Sequence, residues 1–101
     1  MNRENMIKMM TIADHYGYES QSRQLIEEMA ELTKAINKEW RVAKRKKPKK
    51  MARCRKNIIE EIADVEVMIE QMKYLLNCQL KTERVIRKKL ERQLKRIAND
   101  R

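Results

Sequence analysis

Residues 25–40 read LIEEMAELTKAINKEW, and their apolar side chains repeat with the period of an α-helix. The apolar positions, at steps of four, three, four and four residues, are Leu25, Met29, Leu32, Ile36 and Trp40. Such steps place all five side chains on one face of a helix. The stretch therefore predicts a long amphipathic helix, which we expect to run from an N-cap at Ser20 to about Lys46.

The remaining chain has the same helical character on both sides of this stretch. A second stripe predicts a helix over about 53–77, and its members are Ile58, Ile62, Val65, Ile69, Met72 and Leu76. Pro48 cannot lie inside a helix, so residues 44–51 are predicted to form a basic connector between two antiparallel helices. A short helix over about 5–15, ending near Gly17, precedes this pair, and a basic helix over about 81–98 follows it.

Composition indicates a single all-α domain over residues 1–101. The chain has one glycine, one proline and no phenylalanine, and 40% of its residues are charged. Few aromatic side chains are available for a large core, and the apolar faces of a hairpin exceed what one subunit can cover. The predicted fold is an antiparallel helical hairpin or four-helix bundle, completed by homo-oligomerisation into a dimer or tetramer.

Charge and cysteine content indicate which binding partners and which cellular location to expect. The formal net charge of +10 favours polyanions such as nucleic acid, anionic lipid or nucleoside triphosphates. Cys54 and Cys78 lack CxxC spacing and partner histidines, so reduced thiols and a cytoplasmic location are expected. No apolar stretch approaches the length needed to span a membrane, and no membrane partner is predicted.

The acidic motifs of the two long helices take the same position relative to their apolar stripes. The first motif is Glu28 with Glu31, and the second is Glu61 with Asp64. If each stripe begins at 0° and each residue advances by about 100°, the first acid of each motif lies at about 300° and the second at about 240°. Like charges at this spacing repel each other. A divalent cation with oxygen ligands would neutralise them, and Mg²⁺ suits such a set. The alternative is a solvated face paired with lysine or arginine.

The sequence around these motifs supports a family resemblance. The matching segments are Tyr16-Gly17-Tyr18, Gln24-Leu25-Ile26, Glu27-Glu28-x-x-Glu31, Leu32, Ala35-Ile36 and Glu61-x-x-Asp64. Over residues 16–76 the pattern resembles the signature of the MazG-like all-α nucleoside triphosphate pyrophosphohydrolases.

That resemblance implies an activity and a set of site residues. Members of the family need Mg²⁺ and cleave nucleoside triphosphates between the α and β phosphates, which yields a monophosphate and pyrophosphate. Mn²⁺ is expected to substitute for Mg²⁺. Matched by position, the metal ligands are Glu28, Glu31, Glu61 and Asp64. Glu27 and Glu60 are the candidate catalytic residues, which would support the ligands or orient the attacking water.

Four further side chains are candidates for contact with the nucleotide. Gln21 and Gln24 lie on the same shoulder of their helix as the acids, and Met68 follows Asp64 by one turn. Trp40 is a candidate for stacking on a base. Each also has an interpretation without a ligand: the glutamines would be ordinary helix surface, and Met68 and Trp40 would belong to the core or an interface.

Two other functions remain open at this stage. A basic helical protein that binds nucleic acid, or regulates without catalysis, would explain the charge, the basic connector and the basic last helix. It would leave the paired acidic motifs unexplained, because carboxylates repel phosphate. A scaffold or coiled-coil partner without chemistry is the third hypothesis.

Overall fold

The computed structural model describes residues 1–100, which form three α-helices and no β-strand. Helix α1 spans Arg3–Ala43, α2 spans Pro48–Leu75 and α3 spans Gln79–Asn99. The prediction of an all-α protein is therefore confirmed. None of the helices in this described part combines the length and apolar character needed to cross a membrane.

The predicted break near Gly17 is confirmed, because α1 consists of two helical segments that meet at a kink at this residue. The helix begins at Asn2, whose side chain accepts a hydrogen bond from the backbone N–H of Asn5 at 2.8 Å. Gly17 has φ 83° and ψ 171°, outside the helical region. The predicted N-cap at Ser20 is wrong, because helical structure resumes directly after the single glycine.

The connector between α1 and α2 is shorter than predicted and covers residues 44–47. Pro48 does not belong to it but begins α2, since the first position of a helix needs no N–H donor and favours the φ of proline. Lys46 has a φ of 51°, which helps to reverse the chain. So short a connection requires α1 and α2 to pack as neighbours.

Side-chain contacts confirm that the two long helices run antiparallel. Gln21 of α1 donates from Nε2 to Oε1 of Gln71 in α2 at 2.7 Å, and both side chains are buried. The hydroxyl of Tyr74 donates to Asp14, with oxygen–oxygen distances of 2.8 and 3.0 Å. The early part of α1 thus pairs with the end of α2. The small core consists of Met9, Ala13, Gln21, Ala35, Val42, Cys54, Val65, Met68 and Gln71.

The helices meet along the shoulders of their apolar stripes and not along the stripe centres. With the angles defined above, the buried residues of both long helices are centred at about 280° to 290°. Much of each stripe is consequently left in solvent. The exposed members are Met29 (51%), Ile36 (40%) and Trp40 (66%) on α1, and Ile62 (41%), Ile69 (42%) and Leu76 (55%) on α2.

These six residues share one side of the hairpin, which we call the apolar face. Around the axis of its own helix, each of the six lies about 80° to 140° from the direction that faces the partner helix. The rotation has the same sense on both helices. In an antiparallel pair, such positions fall on the same side. Glu28 and Glu61 lie close to the contact direction, and Glu31 and Asp64 lie toward the opposite side.

Helix α3 adds no further layer to the hairpin. Helix α2 ends before Asn77, which adopts φ 51° and redirects the chain. Helix α3 then contacts α2 but not α1, and none of its side chains is buried. A four-helix bundle is thus not formed by one chain, because the apolar stripe of α3 finds no partner within residues 1–100.

The conformation of Gly17 makes it a sensitive position for stability. The region near φ 83° and ψ 171° is essentially restricted to glycine, so Gly17→Ala should lower the free energy of unfolding by about 1–3 kcal/mol. A Cβ at this position would meet no atom within 4 Å, so the loss would come from the backbone alone. Chemical denaturation measures it, with Glu19→Ala as an exposed helical control. Equal stability of Gly17→Ala and wild type would show that α1 passes through this position without a break.

Candidate metal centre

Three carboxylates from the two long helices converge on the hairpin. Glu28 of α1 and Glu61 and Asp64 of α2 each offer an oxygen, and these three oxygens lie within 4.8 Å of one another. Glu28 and Glu61 are half-buried, and Asp64 is exposed. The equal angular positions of the two motifs produce this convergence once the helices pack antiparallel.

The spacing of these oxygens suits a small divalent cation. Ligand oxygens lie about 2.1 Å from Mg²⁺, so two ligands of one ion can be at most about 4.2 Å apart. Rotation of one or two carboxyl groups would bring the oxygens, which lie within 4.8 Å of one another, to this distance. The exposed side of Asp64 leaves room for waters or phosphate oxygens, which Mg²⁺ usually retains as ligands.

The electrostatic environment of Glu61 is unfavourable for its negative charge. Burial raises the pKa of its carboxyl above the ordinary value of 4.5. Further increases of the pKa come from nearby carboxylates, which are Asp64, Glu28, Glu31 and Glu60 in order of effect. Within residues 1–100, the ion pairs are those of Lys8 with Glu4 and of Lys73 with Glu70. None of the basic side chains in this described part forms an ion pair with the cluster.

Gln24 positions one of the three carboxylates. Its Nε2 donates to Oε1 of Glu28 at 2.8 Å, one helical turn away. This bond holds one oxygen of Glu28 and leaves the other free to act as a ligand. Gln24 was predicted to contact a nucleotide, and the structure places it beside the ligand cluster.

The other predicted acidic site residues surround the cluster without joining it. Glu31 lies outside the group of three oxygens, although its charge contributes to the raised pKa of Glu61. Glu60 contributes in the same way. Both are exposed, as is Glu27. The four-ligand set therefore stays a prediction, with three of its members brought together.

The remaining predicted contacts occupy different surroundings. Gln21 and Met68 are buried inside the hairpin, where both contact Gln71; its Nε2 donates to the sulfur of Met68 at 3.7 Å. Trp40 is exposed and lies about 120° around α1 and about 18 Å along its axis from Glu28. One chain therefore does not bring Trp40 to the carboxylates.

A set of basic and amide residues beside the cluster was not predicted as part of the site. A cavity of about 400 Å³ adjoins Glu31, and its other lining residues are Lys34, Ala35, Asn37, Lys38, Arg41 and Asn57. The sequence predicted a basic connector and did not place these cations beside the carboxylates. The spacing of Lys38 and Arg41, three residues apart on the acidic side of α1, was the available signal.

Comparisons with known proteins identify no relative of this chain. No protein-family model matches it, no curated protein matches it, and no solved structure matches it. Function is therefore inferred from the chemistry of the carboxylate cluster and its surroundings.

The raised pKa of Glu61 predicts a pH dependence of stability in metal-free protein. Because the folded-state pKa exceeds the unfolded value of about 4.5, the folded state binds more protons between the two values. The free energy of unfolding should therefore fall as pH rises through this window, and Glu61→Gln should reduce the fall and stabilise the protein at neutral pH. Denaturant titrations across pH in EDTA measure both effects.

The control for this experiment is Glu83→Gln, the same chemical change at an exposed position of α3. It should follow the wild-type pH profile. A Glu61→Gln variant that is less stable than wild type at neutral pH would contradict the repulsion described above.

Proposed function

We propose that this protein is an Mg²⁺-dependent nucleoside triphosphate pyrophosphohydrolase of the MazG-like all-α type. Its reaction would cleave the bond between the α and β phosphates and release a nucleoside monophosphate and pyrophosphate. The substrate would be bound on the acidic side of the hairpin formed by α1 and α2.

One observation carries this proposal, which is the convergence of Glu28, Glu61 and Asp64 from two helices. Three carboxylates without a basic partner repel one another, as the raised pKa of Glu61 indicates. A divalent cation would convert this repulsion into attraction. The paired acidic motifs are also the feature on which the family resemblance depends.

The surroundings of the cluster are compatible with a phosphorylated substrate. Lys34, Lys38 and Arg41 line the cavity that begins at Glu31, so cations follow the carboxylates along one groove. A bound Mg²⁺ would neutralise phosphate oxygens and favour attack by water at the α phosphorus. The basic side chains would hold the outer phosphates and stabilise the charge of the departing pyrophosphate.

Glu60 is one of the two candidate catalytic acids, and its charge adds to the raised pKa of the adjacent Glu61. An exposed carboxylate beside the ligand cluster can accept a proton from the attacking water. Glu27 would then support the neighbouring Glu28 in the same helical turn.

The activity is tested by incubating the protein with a panel of ordinary and modified nucleoside triphosphates and measuring pyrophosphate and monophosphate. We expect turnover with Mg²⁺, weaker or comparable turnover with Mn²⁺, and none in EDTA. Glu61→Gln should lower the rate by about 100-fold or more, because a ligand and its charge are lost. Glu83→Gln on α3 is the matched control and should retain the wild-type rate.

Two results would contradict the proposed activity. One is wild-type turnover by Glu61→Gln, and the other is the absence of pyrophosphate release across the panel. Thermal denaturation with and without Mg²⁺ tests metal binding separately from turnover, because binding to the folded state raises the melting temperature. That increase should disappear in Glu61→Gln and persist in Glu83→Gln.

Association of chains is part of the same proposal. The apolar face exposes six large side chains, and complete burial of one such side chain contributes about 1.5–3 kcal/mol. A second copy has the same face and can cover it in an isologous dimer. Since Glu31 and Asp64 lie toward the other side of the hairpin, a dimer formed in this way would leave these two carboxylates accessible.

Ile62→Lys should weaken this association, because it places an unpaired charge in the centre of the apolar face. The dissociation constant should rise by about tenfold or more, as measured by sedimentation equilibrium. Val67→Lys is the control, since Val67 is similarly exposed and lies toward the acidic side of α2. Unchanged association of Ile62→Lys would exclude this face as the interface.

A further inference from the structure

A second and larger cavity lies at the closed end of the hairpin, next to the connector. Its volume is about 680 Å³. Residues from both long helices and the connector line it, and they are Ala35, Lys38, Arg41, Val42, Arg45, Lys50, Arg53, Cys54 and Asn57. Three of these side chains, Ala35, Val42 and Cys54, are buried and form the floor of the cavity.

Five of the lining residues are cations, and none is an acid. The five are Lys38, Arg41, Arg45, Lys50 and Arg53. None of them takes part in an ion pair with a carboxylate of residues 1–100. The cavity thus concentrates positive charge in a concave space, where the potential from several groups adds.

Sequence spacing explains why these side chains converge. Lys38, Arg41 and Arg45 are separated by three and four residues, which places them on one side of α1 and its continuation. Lys50, Arg53 and Asn57 repeat the same spacing on α2. The tight connector then brings the two sides together.

The beginning of α2 adds to this positive charge. Its first turn contains no acidic residue, and no side chain caps it. The free N–H groups and the positive end of the helix dipole therefore remain available near Lys50, which lines the cavity.

The far end of this cavity, at Arg45 and Lys50, is distant from the carboxylate cluster. Arg45 follows Glu31 by 14 residues, or about 21 Å of helical rise, and Lys50 precedes Glu61 by 11 residues, or about 16 Å. A triphosphate chain held at the cluster is too short to reach these distances. The smaller cavity connects the two places, because Lys38 and Arg41 line both.

We propose that this cavity binds a compact polyphosphate anion, either inorganic or the polyphosphate tail of a nucleotide, without a metal ion. Several cations without counter-ions match the several charges of such an anion. No aromatic side chain lines the cavity, so a base has no surface on which to stack and recognition is of phosphate. This binding differs from the proposed hydrolysis in needing no metal ion and in depending on Arg45 and Arg53, which line only the larger cavity.

The test is calorimetric titration of the protein with sodium tripolyphosphate in EDTA, at low and at physiological salt. The double variant Arg45→Gln/Arg53→Gln should raise the dissociation constant about tenfold or more. The matched control, Arg84→Gln/Arg92→Gln, removes the same charge from α3 and should change it less than about threefold. Glu61→Gln should retain binding, which separates this site from the catalytic proposal.

Three outcomes would overturn the inference. Equal weakening by the two double variants would show that the overall charge of the protein attracts the anion. Loss of binding in Glu61→Gln would place the anion at the carboxylate cluster. Displacement of tripolyphosphate by a DNA or RNA oligonucleotide at lower phosphate concentration, with the same sensitivity to Arg45→Gln/Arg53→Gln, would assign the cavity to nucleic acid.

Discussion

The four-residue connector between α1 and α2 is the constraint on which the other features depend. With only residues 44–47 to reverse the chain, the two helices must pack side by side and antiparallel. The hydrogen bond between the buried side chains of Gln21 and Gln71 then holds their register, because a shift would leave polar groups unpartnered in the core. Carboxylates at matching helical angles are brought together as a consequence.

Charge is strongly segregated along this hairpin. The carboxylates of Glu28, Glu61 and Asp64 meet in its middle, and five cations surround the cavity at its closed end. Few of these groups neutralise one another directly. Like charges repel one another within each cluster, and an ion of opposite charge would relieve that repulsion, which is the basis of both proposed sites.

The hairpin leaves much of its apolar surface uncovered. Its core contains small or polar residues such as Ala13, Ala35 and Gln71, whereas Trp40 and several isoleucines remain in solvent. Helix α3 is amphipathic and buries nothing within the described residues. The apolar area that stabilises most domains is therefore still available, and covering it by a second copy would add substantially to stability.

Much of this protein was determined by the sequence alone, since helical periodicity is a local property. The apolar steps of the two long helices, the break at Gly17 and the equal angles of the acidic motifs could all be derived without a structure. The start of α2 at Pro48 was missed because proline is compatible with both a helix start and a connector. The predicted N-cap at Ser20 was wrong because the interruption covers Gly17 alone, and the helix resumes before Ser20.

Only the tertiary structure decided which face of each helix is buried. Periodicity identifies an apolar stripe but not its partner, and the contact is made by the shoulder that carries Gln21 and Ala35. This choice leaves much of each stripe exposed, encloses Glu28 and Glu61 in part, and directs the cations of both helices into one cavity. The physical reason is that packing depends on the fit between two surfaces, and one helix considered alone contains no information about the second.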